Sequence, residues 1–141
     1  MAKTKSITVS EIEYIAHRIA KKFMEWDEPI PDFGTRFPSV LESCLRQPFA
    51  TFSKKNLYIG LAGKSAILFY LMIKNHPFEN GNKRIAIATL LYLLSKNGKW
   101  LRLSNEALYI FTLDVAKSDP QTKDEAITQI KSFIKAYLID R

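Results

Sequence analysis

Apolar residues recur at helical spacing along most of this chain. Ile12, Ile15, Ile19 and Phe23 lie three or four positions apart, and Thr8 with Glu11 three residues on has the form of a capping box. A first helix is therefore predicted from there to the "DEPIPDFG" loop. Pro38 suits the opening turn of a short second helix, "PSVLESCLRQ", and Pro48 after Gln47 should close it. "PFATFSKKN" has no helical period and reads as an exposed loop or edge segment, with Phe49 and Phe52 favoured as anchors to the core over a docking surface. Residues 57–75 form a third helix, apolar enough to be central, in which Gly60 and Gly63 permit close helix approach. A fourth helix runs from about residue 82 to 97 and stops at Gly98, a residue suited to a left-handed cap. "KWLRLS" follows as a short extended link. Ser104 or Asn105 caps a fifth helix through Ala116. Thr122 with Glu125 forms a second capping box, opening a last helix with Ile127, Ile130, Phe133, Ile134 and Tyr137 on one face. The pattern predicts an all-α bundle of five or six helices with almost no strand.

Composition narrows this picture. A length of 141 residues with 47% hydrophobic content fits one compact domain. The single Cys44 has no partner for an internal disulfide, no residues have metal-ligand spacing, and "MAKTKSITVSEIE" lacks an apolar signal core. A cytoplasmic setting is expected, without a membrane span, because the longest apolar runs fall short of the roughly 18 residues a span needs. The formal charge of +7 favours a nucleotide or an acidic protein partner. Nucleic acid is disfavoured, since the basic residues are scattered rather than gathered on one stripe. His17 has no second His nearby and is given no role. "GLAGKSA" evokes a phosphate loop, but Tyr58 stands where that motif needs its first Gly and no strand is predicted before it.

The chemistry concentrates between the third and fourth helices, in "HPFENGNKR". Pro77 disfavours helical geometry at His76, so the third helix should end there with the imidazole at its rim. Phe78, the large apolar residue of the knot, should point inward as an anchor. Gly81 allows a tight turn, and Asn82, Lys83 and Arg84 open the next helix, where unpaired N–H groups and the helix dipole favour anions. Cations at a helix start oppose that dipole, and a phosphate would reverse the penalty. A His facing such a cradle, with an Arg able to grip two oxygens, fits binding of a phosphate-containing ligand and its transfer.

This loop resembles the signature of the Fic superfamily, His-x-Phe-x-Asp/Glu-Gly-Asn-Gly-Arg, and Lys83 in place of the last Gly is similar to the death-on-curing toxin branch. The resemblance implies an all-α fold whose loop binds ATP phosphates, usually with magnesium, and modifies a hydroxyl of a target protein. His76 would be the general base and Arg84 the phosphate clamp; Gly81, Asn82 and Lys83 would form the phosphate cradle with Asn80 beside it. The usual acid that helps to hold magnesium is Asn80 here, an uncharged ligand, and Ile87 replaces the second Arg of many nucleotidyl-transferring members. The death-on-curing pattern implies transfer of the terminal phosphate of ATP to a Ser or Thr, with a translation elongation factor as the target class and a separate antitoxin as partner. AMP transfer, or a nucleotide-binding domain whose chemistry has lapsed, are the alternatives. The chain carries no Ser/Thr-x-x-x-Glu-Gly/Asn inhibitory motif of the family.

Overall fold

The computed structural model describes residues 3–22 and 27–141. Among these the architecture is all-α, with six α-helices and strands of only two or three residues. The first helix, α1 (Val9–Tyr14), opens with the expected capping box: the Thr8 hydroxyl accepts from the Glu11 N–H, and the Glu11 carboxylate accepts from the Thr8 N–H. The chain then widens into a π turn over Ile15–Ile19 and tightens into a 3-10 turn over Ala20–Lys22. Ile12 and Ile15 are fully buried and Ile19 partly so. Phe23, expected on the same stripe, lies outside the described residues. Glu11 does further work: both carboxylate oxygens lie 2.8 Å from the Lys96 ammonium, and one accepts from the Tyr92 hydroxyl at 3.0 Å.

The second helix, α2 (Pro38–Arg46), has Pro38 in its first turn and ends before Pro48, which sits in a 3-10 turn over Gln47–Phe49. The segment expected as a loop or edge is a small antiparallel hairpin, β1 (Thr51–Phe52) with β2 (Lys55–Asn56). Its two turn residues, Ser53 and Lys54, both have positive φ, at 51° and 66°. Such a turn matches the twist of the paired strands. The two aromatics part company here: Phe49 is half-buried beside the Lys64 ammonium, and Phe52 is 73% exposed and anchors nothing.

The third helix, α3 (Gly60–Lys74), starts three residues later than its apolar run suggests, because Leu57 and Ile59 are exposed and Gly60 takes a left-handed φ of 71°. That backbone angle, not a close neighbour, explains Gly60: an added Cβ would meet nothing within 4 Å. A Cβ at Gly63 would meet its nearest atom at the ordinary distance of 3.6 Å, so neither glycine marks a close helix approach. From Ala62 to Ile73 every residue of α3 is buried. The fourth helix, α4 (Asn82–Lys96), is nearly as enclosed, and it ends with Gly98 at φ 77°. Together α3 and α4 form the buried central pair, hydrophobic around most of their circumference as interior helices must be.

The extended link after α4 is a strand, β3 (Lys99–Leu101), antiparallel to β4 (Leu138–Asp140) at the far end of the chain. Between them run α5 (Asn105–Lys117), capped by the Ser104 hydroxyl accepting from the Ala107 N–H, and α6 (Lys123–Tyr137). The second capping box does not form. Thr122 ends a 3-10 turn, and its hydroxyl donates to the Asp119 carbonyl instead of accepting from α6. The core face of α6 is Ala126, Ile130 and Ile134; Ile127 and Phe133 flank it, Phe133 stacking on Phe111 at 3.8 Å, and Tyr137 is exposed. No helix among the described residues is long and apolar enough to cross a membrane.

Candidate functional site: the loop between the central helices

The loop joining α3 to α4 begins with a strained residue. Asn75 still donates to the Leu71 carbonyl, and His76 then turns left-handed, with φ at 49°. Helices often end on such a residue, but it is usually Gly, and a side chain there costs roughly 1–2 kcal/mol. His76 is exposed at the rim, where the sequence puts it. The next residues tie the loop down: Pro77 and Phe78 are buried, and the Pro77 carbonyl accepts from the Phe37 N–H at 2.9 Å. Phe78 packs against Phe33, their ring centroids 6.1 Å apart, and the Arg36 guanidinium lies 4.2 Å from the Phe33 centroid. His17, half-buried, sets its ring edge-on to the same Phe33.

Asn82 is buried, and its amide turns back into the loop rather than outward. Its Oδ1 accepts from the Phe78 N–H at 3.0 Å and its Nδ2 donates to the Phe78 carbonyl at 2.9 Å. This reciprocal pair fixes which end of the amide is nitrogen. The same Nδ2 lies 3.5 Å from His76 Nδ1. A nitrogen donor facing Nδ1 favours the tautomer with the proton on Nε2, though a contact this long holds it weakly. The side chain assigned to phosphate by resemblance thus braces the loop and neighbours the imidazole.

Arg84 differs more from expectation. It is only 4% exposed, and its guanidinium donates to three backbone carbonyls, those of Glu28, Ala20 and Lys21, each at 2.9 Å. Two of these belong to the turn that ends the first helix, where orphan carbonyls and the negative end of the dipole suit a cation. Hydrogen bonds to a charged group contribute roughly 1.5–3 kcal/mol each. The clamp inferred from resemblance is therefore engaged with the protein's own backbone. Lys83 keeps more freedom, with its ammonium 3.6 Å from the Glu28 carboxylate.

Sequence reasoning missed Glu28, Pro29 and Ile30, which carry no signal beyond their place in the "DEPIPDFG" loop. They lie across the start of α4. A Cβ added to Gly81 would stand 2.8 Å from Ile30 Cδ1 and 3.0 Å from the Pro29 carbonyl oxygen, and Gly81 itself has φ 70°. Only Gly satisfies both the turn and that close approach. Gly81 offers no side-chain cap to the first-turn N–H groups of α4. Asn80 is half-buried and Glu79 exposed. For magnesium the donor set is poor: Asn80 is uncharged, and no group of three His, Cys, Asp or Glu side chains able to hold a metal gathers among the described residues.

The site thus comprises an exposed His on a strained helix end, a loop braced by Phe78 and Asn82, and a helix start entered through a left-handed Gly. No curated protein and no solved structure matches the chain. The sequence profile of the Fic/DOC family matches residues 6–94, which run from the approach to α1 through the loop to nearly the end of α4. That match covers well over half of the chain and both helices that hold the loop, so this protein belongs to the Fic/DOC family.

Proposed function

We propose that the protein transfers the terminal phosphate of ATP to a Ser or Thr hydroxyl of a target protein, as the resemblance to the death-on-curing branch implies. The observation that carries this reading is the placement of His76, exposed and braced beside the start of α4. His76 takes the proton of the attacking hydroxyl, a new bond forms from that oxygen to the terminal phosphorus, and the bond to the bridging oxygen breaks, releasing ADP. The N–H groups of the first turn of α4, with Lys83, hold the phosphate oxygens, and Gly81 and Asn80 border that cradle. Arg84 serves as a positioning residue through its three carbonyl partners, and Phe78 and Asn82 keep the imidazole in place. Because Asn80 supplies no charge, no step is assigned to a metal.

Ile87, buried in α4 where a second Arg would stand in many AMP-transferring members, favours phosphate over AMP as the transferred group. The engagement of Arg84 favours a second reading, a nucleotide-binding domain whose chemistry has lapsed. The deciding experiment incubates the protein with cell extract and ATP labelled at the terminal or the innermost phosphate. Terminal label on a protein supports phosphate transfer, innermost label replaces it with AMP transfer, and binding without either label supports the lapsed domain. A translation elongation factor is the first target to purify and test. The basic charge suits an acidic or amphipathic antitoxin segment. Expression alone should arrest growth of the native host, and the His76→Ala variant at matched protein level should not. Equal growth of the two removes the toxin reading.

A further inference from the structure

The opposite end of α3 holds a second collection of groups suited to an anion. A groove of about 590 Å³ opens there; its lining includes Lys3, Thr4, Ser6, Phe49, Asn56 and Lys64 and, among the described residues, contains no acidic side chain. Lys64 is the unusual member. It is 6% exposed, its ammonium donates to the Tyr58 carbonyl, and it lies 5.6 Å from the centroid of the Phe49 ring. An ammonium carries three N–H groups, so two of them have no partner among the described residues. Burial pushes its pKa below the ordinary lysine value, the mark of a cation short of compensating charge. Gly60, which opens α3 with a left-handed φ, also lines the groove, and Ile59 before it gives the helix no side-chain cap. The first-turn N–H groups therefore add to the same positive field. These are the residues of "GLAGKSA". They are not a phosphate loop of the nucleotide-hydrolase kind, since only the two-residue antiparallel β2 precedes them.

We infer that this groove is a second anion site, taking a small phosphate monoester whose phosphate is held by Lys64 and Lys3 and whose organic body rests on Phe49. Two lysines suit a dianion better than a single carboxylate. Thr4, Ser6 and Asn56 offer further donors to phosphate oxygens. The volume is well within the range of small-molecule sites and leaves room beyond a bare ion. The length of α3 separates this groove from His76 by roughly 20 Å, so the inference stands apart from the transfer reaction.

The test titrates the full chain with phenyl phosphate, inorganic phosphate and benzoate while following backbone amide signals. Phenyl phosphate should shift the amides of residues 60–64 saturably, more tightly than inorganic phosphate and at least about tenfold more tightly than benzoate. Lys64→Met should weaken this binding about tenfold or more and Lys3→Gln several-fold, while His76→Ala leaves it unchanged. The absence of saturation in the millimolar range, shifts confined to residues 81–84, or equal binding of benzoate each overturn the proposal. Should Lys64→Met fail to fold, acetylation of Lys64 in the wild-type protein decides. Phenyl phosphate should protect it, and equal labelling with and without the phosphate refutes the site.

Discussion

The two ends of α3 present cations near helix starts in opposite conditions. At its C-terminal end, Arg84 and Asn82 are bonded to the backbone of residues 20, 21, 28 and 78, with the Arg84 Nε buried and without a partner among the described residues, and Gly81 lies under Pro29 and Ile30. At its N-terminal end, Lys64 is nearly as deeply buried as Arg84 but has a single carbonyl for three donors, in a groove without acids among the described residues. A cation in a motif becomes available to a ligand only if the surrounding chain leaves its donors unspent. Residue type does not reveal this; the supply of nearby acceptors does. Arg84 meets three carbonyls because the end of the first helix and Glu28 lie beside it, whereas Lys64 bonds to one, and the N-terminal segment and the hairpin bring Lys3, Thr4, Ser6, Thr51 and Asn56 to its groove instead.

The largest test of this contrast is chemical. His76→Ala should lower transfer by about 10²–10⁴-fold, the usual contribution of a general base, with nucleotide binding nearly unchanged. His76→Gly should do the same while relieving the left-handed strain, keeping the unfolding free energy within about 1 kcal/mol of wild type. Labelled transfer and denaturant unfolding measure the two quantities, and wild-type transfer in either variant would remove the chemistry from this end of α3.

Stability should then separate the two cations. Arg84→Met leaves three carbonyls without their donor and should cost about 3–5 kcal/mol in urea unfolding. Lys64→Met, which removes an undercompensated charge, should change stability by less than about 1 kcal/mol. Similar losses for the two would erase the distinction drawn here. Next in size is Gly81→Ala, where a positive φ and a Cβ 2.8 Å from Ile30 Cδ1 combine to cost about 2 kcal/mol, read from the same unfolding curves. A variant as stable as wild type would mean that residues 28–30 do not bear on the loop.

Smaller effects sharpen the picture. Asn80→Asp returns a charged oxygen to the loop and should lower the magnesium concentration for half-maximal transfer by about tenfold. An unchanged requirement places residue 80 away from any metal. Glu11→Gln tests a third network, the carboxylate held by Lys96, Thr8 and Tyr92. Burial alone would raise the Glu11 pKa, but the bonds from Lys96, Thr8 and Tyr92 outweigh it and hold it below its ordinary value of 4.5. A lowered folded-state pKa stabilises above the unfolded value and loses that contribution as pH falls through the folded value. The variant should therefore lose about 0.5–1 kcal/mol at pH 7, this carboxylate being partly solvated, and should show a shallower decline in acid. Parallel acid limbs in the two proteins would show that Glu11 carries no such linkage.

The sequence by itself determined the elements whose signals are local. Thr8 and Glu11 announced the first helix because a capping box closes within four residues, and the apolar density of α3 and α4 marked them as interior because no solvated face remained. Gly98 marked the end of α4 for an equally local reason, the left-handed backbone of its cap. The nine residues of "HPFENGNKR" gave the family, since a long specific motif survives without any knowledge of packing. Tertiary structure decided everything that depends on a distant partner. β3 is a strand only because residues 138–140 return beside it. Thr122 is a local exception: its hydroxyl donates to the Asp119 carbonyl three residues back, within the 3-10 turn that precedes α6, instead of capping the helix. The Arg84 guanidinium is bonded to backbone because chain more than fifty residues earlier places three carbonyls around it. A motif fixes which donors exist, but hydrogen bonds are allotted among all acceptors that folding brings within about 3 Å, and those acceptors are set by the whole chain.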